Sequence, residues 1–562
     1  MFVLPLTVSV FDPASFPGNS GAISSSKFGV RVTVGGEDYT DRLIDEVQVD
    51  AEEDAARVAS FTVVARPGQF EPDSWINLPV SVDYLQDGVA FRLFTGIVDL
   101  PNLSIDGKSI VVNCTDDLQG RFTGKERAQI EDVFQGSGAM WSPALFGDYT
   151  DSEQFAKDLL STIARSADID RNGLLRFGDW YSPGYDYLFL DAEIFPDSVS
   201  VEWAGRRDIV NRVDITLEYT YQFFRERYHR YLWNYPRSFP EYLELNTSLP
   251  NNDMIKGAAE QTGWRLAGPI KYVRLPPSGE FDLPSGGSTQ WVAAEEVRQY
   301  VALGADFTLE KRWVQDVKQT FNIAVESPPN IQRYDQLAEE VQATLDTSVE
   351  EDGFGAFETT PDLPEISIGS DRAWNSFSSL DLAVAVDTAV AHSKALILSS
   401  FRQNSVSFRT LLQPELERYH FARIETDSVT AQGKCRRILH RISVTDGWAT
   451  TEVDLAVFRG EPSIEGSYNI PAMEYSESNV STTTTLDTAI QVIDGSVPAP
   501  AEDFEGYVGN ELPPIAVVEN PFDERFALST PEISEGSRNP VESMFEFSVL
   551  APVYNQDLTV SV

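Results

Sequence analysis

The sequence has 562 residues, of which 42% are hydrophobic, 11% aromatic and 23% charged. This composition supports sizeable cores and excludes a chain that is disordered throughout, and at about 100 to 200 residues per domain it predicts several domains. The 87 Asp and Glu residues outnumber the 43 Lys and Arg residues and give a formal net charge of −44. Because binding of phosphate groups requires clustered basic side chains, this charge excludes readers of nucleic acids and proteins that bind anionic membranes.

The chain begins with an apolar segment, residues 1 to 10, that carries no basic residue and includes Pro5. Secretory signal peptides begin with a basic stretch, so we interpret residues 1 to 26 as an N-terminal extension and not as a signal. We find no apolar run close to the ~18 to 20 residues of a membrane span. These features predict a soluble protein that is made in a cytoplasm.

Residues 27 to 122 alternate between apolar and polar side chains and are interrupted by turn residues at short intervals. Gly35 and Gly36 form one turn signal, and Asp87 and Gly88 form another. Several short strands with even spacing and such turns are typical of an antiparallel barrel. We therefore predict a first β-barrel domain here.

Helical spacing appears after residue 122. Phe155, Leu159 and Ile163 recur at this spacing behind Asp151, a candidate N-cap, so we predict a helix between residues 151 and 167. Further helices are predicted over residues 253 to 265 and 379 to 400.

A second strand-rich block runs from residue 405 to 458 and contains a hairpin turn at Asp446 and Gly447. After Pro462 the chain is rich in Ser, Thr, Pro and acidic residues, which indicates little core. The predicted fold class is mainly β with α+β insertions, built on two similar antiparallel β-barrel domains. The predicted domains are an N-terminal extension (1–26), a first β-barrel domain (27–122), an α/β connecting domain (123–197), a second β-barrel domain (198–220 plus 400–460), an inserted mixed α/β region (221–399) and an acidic extended C-terminal appendage (461–562).

Residues 221 to 242 combine a high density of aromatic side chains with four arginines. Platforms that stack nucleic-acid bases have this composition, but so do protein interfaces. Because the global charge opposes nucleic acid, we interpret this stretch as core or interface packing rather than a ligand-stacking surface.

Motifs for catalysis or metal binding are weak. Residues 168 to 179 match a calcium-binding loop at several positions, with Asp179 where a bidentate Glu is usual, but a plain turn at Asn172 and Gly173 explains the same residues. Carboxylate pairs suited to a glycosidase stay open, because only geometry identifies them. We interpret Cys114 and Cys435 as buried reduced thiols. None of the four histidines, His229, His392, His420 and His440, occurs in an HExxH motif, and we interpret His440 as a surface or satisfied core residue.

Three stretches together resemble the tail-hub family of contractile and long-tailed phages, which includes the late control D proteins and the N-terminal part of type VI secretion spike proteins. The first is the strand pair of residues 44 to 64, with an acidic, Ala-containing turn. The second is residues 92 to 98 with their Phe-x-Gly-x-Val pattern, running into residues 112 to 117. The third is residues 207 to 215 taken with the hairpin of residues 440 to 455.

The resemblance implies two similar β-barrel domains of tail-hub type in each chain and a homotrimer that forms a pseudo-sixfold ring. It further implies a structural virion protein of the tail tip or baseplate, assembled in the host cytoplasm. Its partners would be the tail tube or distal tail protein on one side and central spike or fibre proteins on the other, and DNA would pass through an acidic channel without specific binding. Residues beyond Pro462 would reach neighbours by strand addition. Some family members hold an iron–sulfur cluster with four clustered cysteines, and the two distant cysteines here depart from that pattern.

We accordingly predict no enzymatic activity, no catalytic residues, no cofactor and no metal site. The alternative is a secreted carbohydrate-binding or carbohydrate-cleaving surface protein of a salt-adapted organism, which would stack sugars on aromatic residues near Trp233.

Overall fold

The computed structural model describes residues 28–65, 71–104, 108–233, 252–274, 280–282, 290–292, 302–472, 483–486, 508–511, 525–528 and 530–561. The predicted N-terminal extension lies outside these residues. The described chain is mainly β, as predicted.

The strands, in chain order, are β1 Phe28–Val34, β2 Glu37–Asp38, β3 Leu43–Glu52, β4 Val58–Val64, β5 Pro79–Gln86, β6 Val89–Ser104, β7 Ser109–Thr115, β8 Arg165–Ile169, β9 Leu175–Asp179, β10 Tyr187–Leu190, β11 Ser200–Glu202, β12 Arg212–Trp233, β13 Arg265–Leu266, β14 Lys271–Arg274, β15 Glu280–Asp282, β16 Gln290–Val292, β17 Ala302–Glu326, β18 Ala338–Asp346, β19 Glu365–Ile368, β20 Asp371–Asn375, β21 Asn404–Leu411, β22 Phe421–Glu425, β23 Val429–Ser443, β24 Trp448–Val457, β25 Arg459–Ser463, β26 Thr483–Leu486, β27 Val508–Glu511, β28 Arg525–Leu528, β29 Val541–Leu550, β30 Val553–Asn555 and β31 Leu558–Val560. The helices are α1 Arg127–Val133, α2 Pro143–Phe146, α3 Ser152–Leu160, α4 Asn252–Gln261, α5 Pro328–Tyr334, α6 Ser379–Phe401 and α7 Glu535–Arg538.

The first unit consists of β1, β3, β4, β5, β6 and β7, all paired antiparallel in the order β1-β5-β6-β7-β4-β3. Alternate side chains point to one side of each strand, and Val32, Phe61, Val82, Phe94 and Val112 fill a common core there. The described ladders do not pair β1 with β3. The predicted first barrel is therefore a curved sheet around one core, without a fully closed ladder.

The second unit consists of β10, β11, β21, β22, β23 and β24, in the order β10-β22-β23-β24-β21-β11. Val406, Ile424, Val453 and Leu455 are among its core residues. The residues after β10 return to β21, where the N–H of Phe195 donates to the carbonyl of Arg409 at 2.8 Å. This contact and the neighbouring β-bridge bring the two ends of the sheet together.

The two units repeat one topology. Numbered along the chain within each unit, the strands lie in the order 1-4-5-6-3-2 in both. Both also carry a β-bulge in the ladder between strands five and six, between Val98 and Leu100 in one unit and between Cys435 and Arg437 in the other. The units differ in their first strand, because β1 runs antiparallel to β5 whereas β10 runs parallel to β22.

A glycine lies two residues before each bulge, Gly96 before Val98 and Gly433 before Cys435. A Cβ atom on Gly96 would lie 2.3 Å from the carbonyl oxygen of Thr115, and one on Gly433 would lie 2.4 Å from that of Ala456. Both glycines therefore allow strand five to approach the end of strand six, at the same point in each unit. Gly96 is the glycine of the Phe-x-Gly-x-Val pattern noted in the sequence.

The insertion in the second unit is larger than predicted. It occupies the connection from β11 to β21, residues 203 to 403, where the first unit has only residues 53 to 57 between β3 and β4. The prediction that residues 207 to 215 open the second barrel was wrong, because β12 pairs with β17 in a different sheet. Alternation identified a strand there, but it does not identify the partner of a strand.

The insertion is built on the long antiparallel ladder of β12 with β17. This ladder is the centre of a separate sheet, here called the second sheet. β18 and β20 extend the sheet beside β12, and β29 lies parallel to β17. The predicted helix over residues 379 to 400 is confirmed as α6, and its Val386, Ala389 and Ile397 pack into the core of this sheet.

The sequence expectation about apolar runs needs correction at α6. This 23-residue helix is long and apolar enough to cross a membrane by length and composition alone. It is largely buried against the second sheet, as a core helix of a globular domain would be.

Two other helix predictions were too long. The helix after Asp151 ends at Leu160, since residues 165 to 169 pair with β9 in a hairpin, and the helix predicted over residues 253 to 265 is α4. The side chain of Asp151 accepts a hydrogen bond from the N–H of Glu153, as expected of an N-cap.

Residues 530 to 561, the described C-terminal end of the predicted appendage, are not a simple extended segment. β29, β30 and β31 pair with β17, β25 and β23, and Val549, Ala551, Val553 and Leu558 are buried. Strand addition does occur here, but within the chain itself. The acidic and polar composition of the whole segment concealed it, although within β29 Phe545, Phe547 and Val549 alternate with exposed residues.

Replacement of Gly433 by Ala tests the close approach at the second bulge. We expect a loss of about 1 to 3 kcal/mol in the free energy of unfolding, since the added methyl group forces two strands apart. Urea unfolding followed by circular dichroism measures this. Gly257→Ala is the matched control, because a Cβ there meets nothing within 4 Å in a helix and should be neutral or stabilising. Equal stability of Gly433→Ala and the parent chain would contradict the proposed constraint.

Candidate functional site

The candidate site is the junction between the two units. β23 pairs antiparallel with β3 along Arg437–Ser443 and Glu46–Glu52, so the two units share one continuous sheet. Ile442 of β23 enters the core of the first unit. On the outer face Arg437 donates to both carboxylate oxygens of Asp50, at 2.9 and 2.6 Å.

Buried ion pairs lie beside one end of this ladder. The carboxylate of Glu53 contacts Arg402 at 2.7 Å and Lys434 at 2.6 Å. Lys434 also donates to the hydroxyl of Ser166 at 2.6 Å and to the carbonyl of Gly178 at 3.0 Å. One ammonium group thus joins the first unit, the second unit and the β8–β9 hairpin of the connecting domain.

A second set of ion pairs lies next to the first. Arg57 pairs with Glu417, and both side chains are almost fully buried. The neighbouring Arg418 lies 3.2 Å from the carboxylate of Asp168 and donates to the carbonyl of Ile169 at 2.7 Å. The residues of the short turn after β3 are therefore tied to the loop before β22 and to the hairpin.

Burial and neighbouring charges shift the pKa values of Glu53 and His440 in and beside these ion pairs. Burial alone would favour the neutral form of Glu53, but the charges of Arg402 and Lys434 outweigh it and lower the pKa of Glu53 to about 2. Burial, with the charges of Arg57 and Arg171, lowers the pKa of His440 to about 3. Glu53 is therefore an anion and His440 a neutral side chain at physiological pH.

Residues 168 to 179, which match part of a calcium-loop pattern, form the β8–β9 hairpin. Asp168 faces Arg418, and Asp179 accepts from Arg165 at 2.6 Å. Asp170 accepts from the N–H groups of Asn172 and Leu174, both at 2.9 Å. These contacts correspond to the plain turn, and the described residues contain no group of three or more His, Cys, Asp and Glu side chains placed for a metal ion.

Cysteine and histidine side chains are largely buried. Cys114 and Cys435 are buried free thiols as predicted, and burial raises the pKa of both. His440 lies in the core, where its Nδ1 contacts the hydroxyl of Thr451 at 2.9 Å. His392 contacts the carbonyl oxygen of Ser161 at 3.2 Å. The structure does not bring the four histidines together.

Most side chains of the aromatic and basic stretch from Tyr221 to Tyr231 are buried in the sheet of the insertion. Arg225 and Arg227 both bind the carboxylate of Asp371, with Arg225 at 2.6 Å, and Arg225 and Asp371 are fully buried. Arg230 pairs with Asp306 at 2.7 Å nearer the surface. The interpretation as packing is correct for these residues, and the part of the stretch beyond Trp233 lies outside the described residues.

Sequence reasoning missed the residues of the junction. Arg57, Glu417 and Arg418 belong to segments separated by about 360 positions, so no local pattern connects them. Lys434 gave no clear signal either, because β23 also carries Arg436, Arg437 and Arg441, and only the structure shows that Lys434 is the fully buried cation among them. Such a residue is buried only when it is paired.

Comparisons with known proteins give similarities to solved structures only. No family model matches the sequence, and no curated protein matches it. A tail protein from Neisseria meningitidis MC58 is similar with 11% identity and a TM-score of 0.35, covering 76% of this chain and 96% of that one. The 43 kDa tail protein of prophage MuSo2 from Shewanella oneidensis has 11% identity and a TM-score of 0.34, covering 76% of this chain and 97% of that one. A component of the Escherichia coli type VI secretion system has 8% identity and a TM-score of 0.27, covering 81% of this chain and 80% of that one.

Glu53→Gln tests the junction through its pH dependence. A carboxylate whose pKa is lowered from 4.5 to about 2 stabilises the fold above pH 4.5, and the stabilisation is lost as the pH falls towards 2. We expect the variant to lose on the order of 3 kcal/mol at pH 7 and to approach the parent chain near pH 2. Denaturant unfolding between pH 2 and 8 measures this difference. Glu52→Gln, at an exposed neighbouring carboxylate, is the control, and a pH-independent difference for Glu53→Gln would contradict the assignment.

Asp371→Asn tests the buried pairs of the second sheet. Removing the charge leaves two arginines buried beside a neutral amide, so we expect a loss of about 3 to 5 kcal/mol. Thermal and urea unfolding measure the change. Glu365→Gln, which breaks an exposed pair with Arg372 on the adjacent strand, should have little effect. Similar effects of the two substitutions would show that burial of Asp371 is unimportant.

Proposed function

We propose that this chain is a structural subunit of a phage-type tail, the hub of the tail tip or baseplate, and that it acts as a homotrimeric ring without catalysis. The observation that carries the proposal is the repeat of one six-stranded topology within the chain. Three chains then supply six similar units, which suits a part that joins a hexameric tail tube to a trimeric tip.

The junction supports this role through its geometry. A pseudo-sixfold ring requires that the two units of one chain hold a fixed relative orientation. The continuous β3–β23 ladder and the buried pairs of Glu53, Arg57 and Arg418 supply that fixed orientation. A flexible linker between the units would not define a ring.

The charge supports the passage of DNA. A net charge of −44 gives a surface that repels phosphate groups, so DNA can move past the ring without being held. We place the tail tube or distal tail protein on one face of the ring and the central spike or fibre proteins on the other. The assembled protein belongs to the virion and is built in the host cytoplasm.

Nothing in the described residues favours the carbohydrate alternative, and part of the aromatic stretch around Trp233 on which it depends lies outside them. Tyr221, Phe223 and Phe224 are buried, and the neighbouring Arg225 and Arg227 are held by Asp371. These side chains cannot stack on a sugar while they form the core of the second sheet.

The mass of the purified protein in solution tests the proposal. We expect light scattering and native mass spectrometry to give three times the mass of one chain, because three two-unit chains complete six positions. Electron microscopy should show rings with threefold symmetry and a sixfold inner outline. A protein that is monomeric, and that also fails to join a partner tail protein, would contradict the hub assignment.

A further inference from the structure

We propose that neighbouring copies of this chain are joined by an antiparallel ladder between residues 100–104 of β6 in one copy and residues 200–204, which begin with β11, in the next. This inference rests on the proposed function and specifies its interface. It follows from the internal repeat, since the chain itself shows what the equivalent edge binds.

The bulges and shared ladders place the equivalent residues of the two units in register. Val98 pairs with Cys114 before the bulge in the first unit, and Cys435 pairs with Leu455 in the second. Leu100 is therefore equivalent to Arg437, and Ser104 to Arg441. Strand β6 of the first unit corresponds to β23 of the second.

The same correspondence extends to the other edge. Ala59 pairs with Cys114 and with Val49, while Val406 pairs with Leu455 and with Val201. Val49 is therefore equivalent to Val201. Strand β3 of the first unit corresponds to β11 of the second.

Inside the chain, strand five of the second unit pairs with strand two of the first, with His440 opposite Val49 and Arg441 opposite Gln48. The equivalent pairing would join strand five of the first unit to strand two of the second. It places Leu103 opposite Val201 and Ser104 opposite Ser200.

No strand that the structure describes covers either of these edges. The ladder between β5 and β6 ends at Ile97, and among the described residues the segment from Leu100 to Ser104 pairs only with β7. β11 pairs only with β21 in that part of the chain. A second copy can therefore reach both edges without displacing a described strand.

Exposure differs between the equivalent segments as the proposal requires. Leu439 and His440 of β23 are buried beside β3, whereas the equivalent Asn102 and Leu103 of β6 are exposed, Leu103 by 40%. Trp203, directly after β11, is 52% exposed. Pairing of the two edges would cover these apolar side chains, as the internal ladder covers theirs.

The interface would be heterologous, because it joins two different edges. Such contacts generate a closed ring when the rotation between copies closes, and an open filament when it does not. Pro101 lies on the free segment and supplies no N–H, as is common on edge strands, while its carbonyl oxygen remains an acceptor.

A disulfide between Ser104→Cys and Ser200→Cys tests the register. Directly opposite residues in an antiparallel pair have Cβ atoms about 4.5 to 5.5 Å apart, close to disulfide geometry. Under mild oxidation we expect covalent multimers of the full-length double variant that end at three chains and return to one chain on reduction. The native thiols Cys114 and Cys435 are buried and should not contribute.

Three controls define the result. Gln48→Cys with Arg441→Cys marks the equivalent internal pair and should give a disulfide within one chain. Ser104→Cys with Glu202→Cys shifts the register by two residues and should link poorly. Leu103→Asp should weaken self-association at least about tenfold, since it places a charge in the ladder, whereas Met544→Asp, at a 65% exposed position on β29, should not.

The outcomes separate the interface from the function. Rings that form while the Ser104 and Ser200 pair fails to link would overturn the ladder and leave the hub proposal standing. Multimers that continue beyond three chains would support the ladder and contradict the trimeric ring. A monomer that neither links nor assembles would overturn both.

Discussion

The rigid junction between two similar β units is the constraint on which the rest of this structure depends. Its ladder would by itself allow twisting, as sheets do. The buried pairs at its end remove that freedom, because each cation contacts groups from separate parts of the chain. An intact buried ion pair adds little stability over a well-packed apolar pair, because desolvation offsets the attraction, whereas removing one partner is costly because the other charge stays buried. The use of such pairs to specify one arrangement fits a protein that must present two units at a set angle.

The insertion lies in the second unit between β11 and β21, at the position that corresponds to the junction residues of the first unit. β11 and β21 are antiparallel neighbours, so the chain leaves the second unit and returns to it at adjacent points. The cost of closing a connection grows only slowly with its length, and a domain with its own core can occupy it without disturbing the strands around it. The equivalent connection in the first unit carries Glu53 and Arg57, which lock the junction. The connection between strands two and three therefore carries the ion pairs of the junction in the first unit and an additional domain in the second.

The sequence predicts the strands of both units well, because a half-buried strand must alternate and its turns require Gly, Asn or Asp. It also predicts α6, whose apolar residues continue for six turns. It fails where the answer depends on a distant partner. The alternation from Arg212 onward correctly predicts a strand. Only the structure shows that this strand, β12, pairs with β17 in a sheet separate from that of the two units. β29 was missed because the polar and acidic composition of the whole C-terminal segment outweighed one short alternating stretch. The junction was missed because Arg57 and Glu417 are far apart in sequence.

The distribution of charge sets the remaining requirement for assembly. Among the described residues, six cationic side chains are buried together with eight carboxylates, so these buried charges nearly cancel and account for little of the net charge of −44. Copies of the chain therefore repel one another, over a range of about 8 Å at physiological salt. An interface between copies has to overcome this repulsion with apolar contact and backbone pairing. The segments 100–104 and 200–204 carry a single charged residue, Glu202, and include Leu100, Leu103 and Trp203. An acidic ring that repels DNA can thus still hold its own subunits, because attraction is confined to two short edges with little charge.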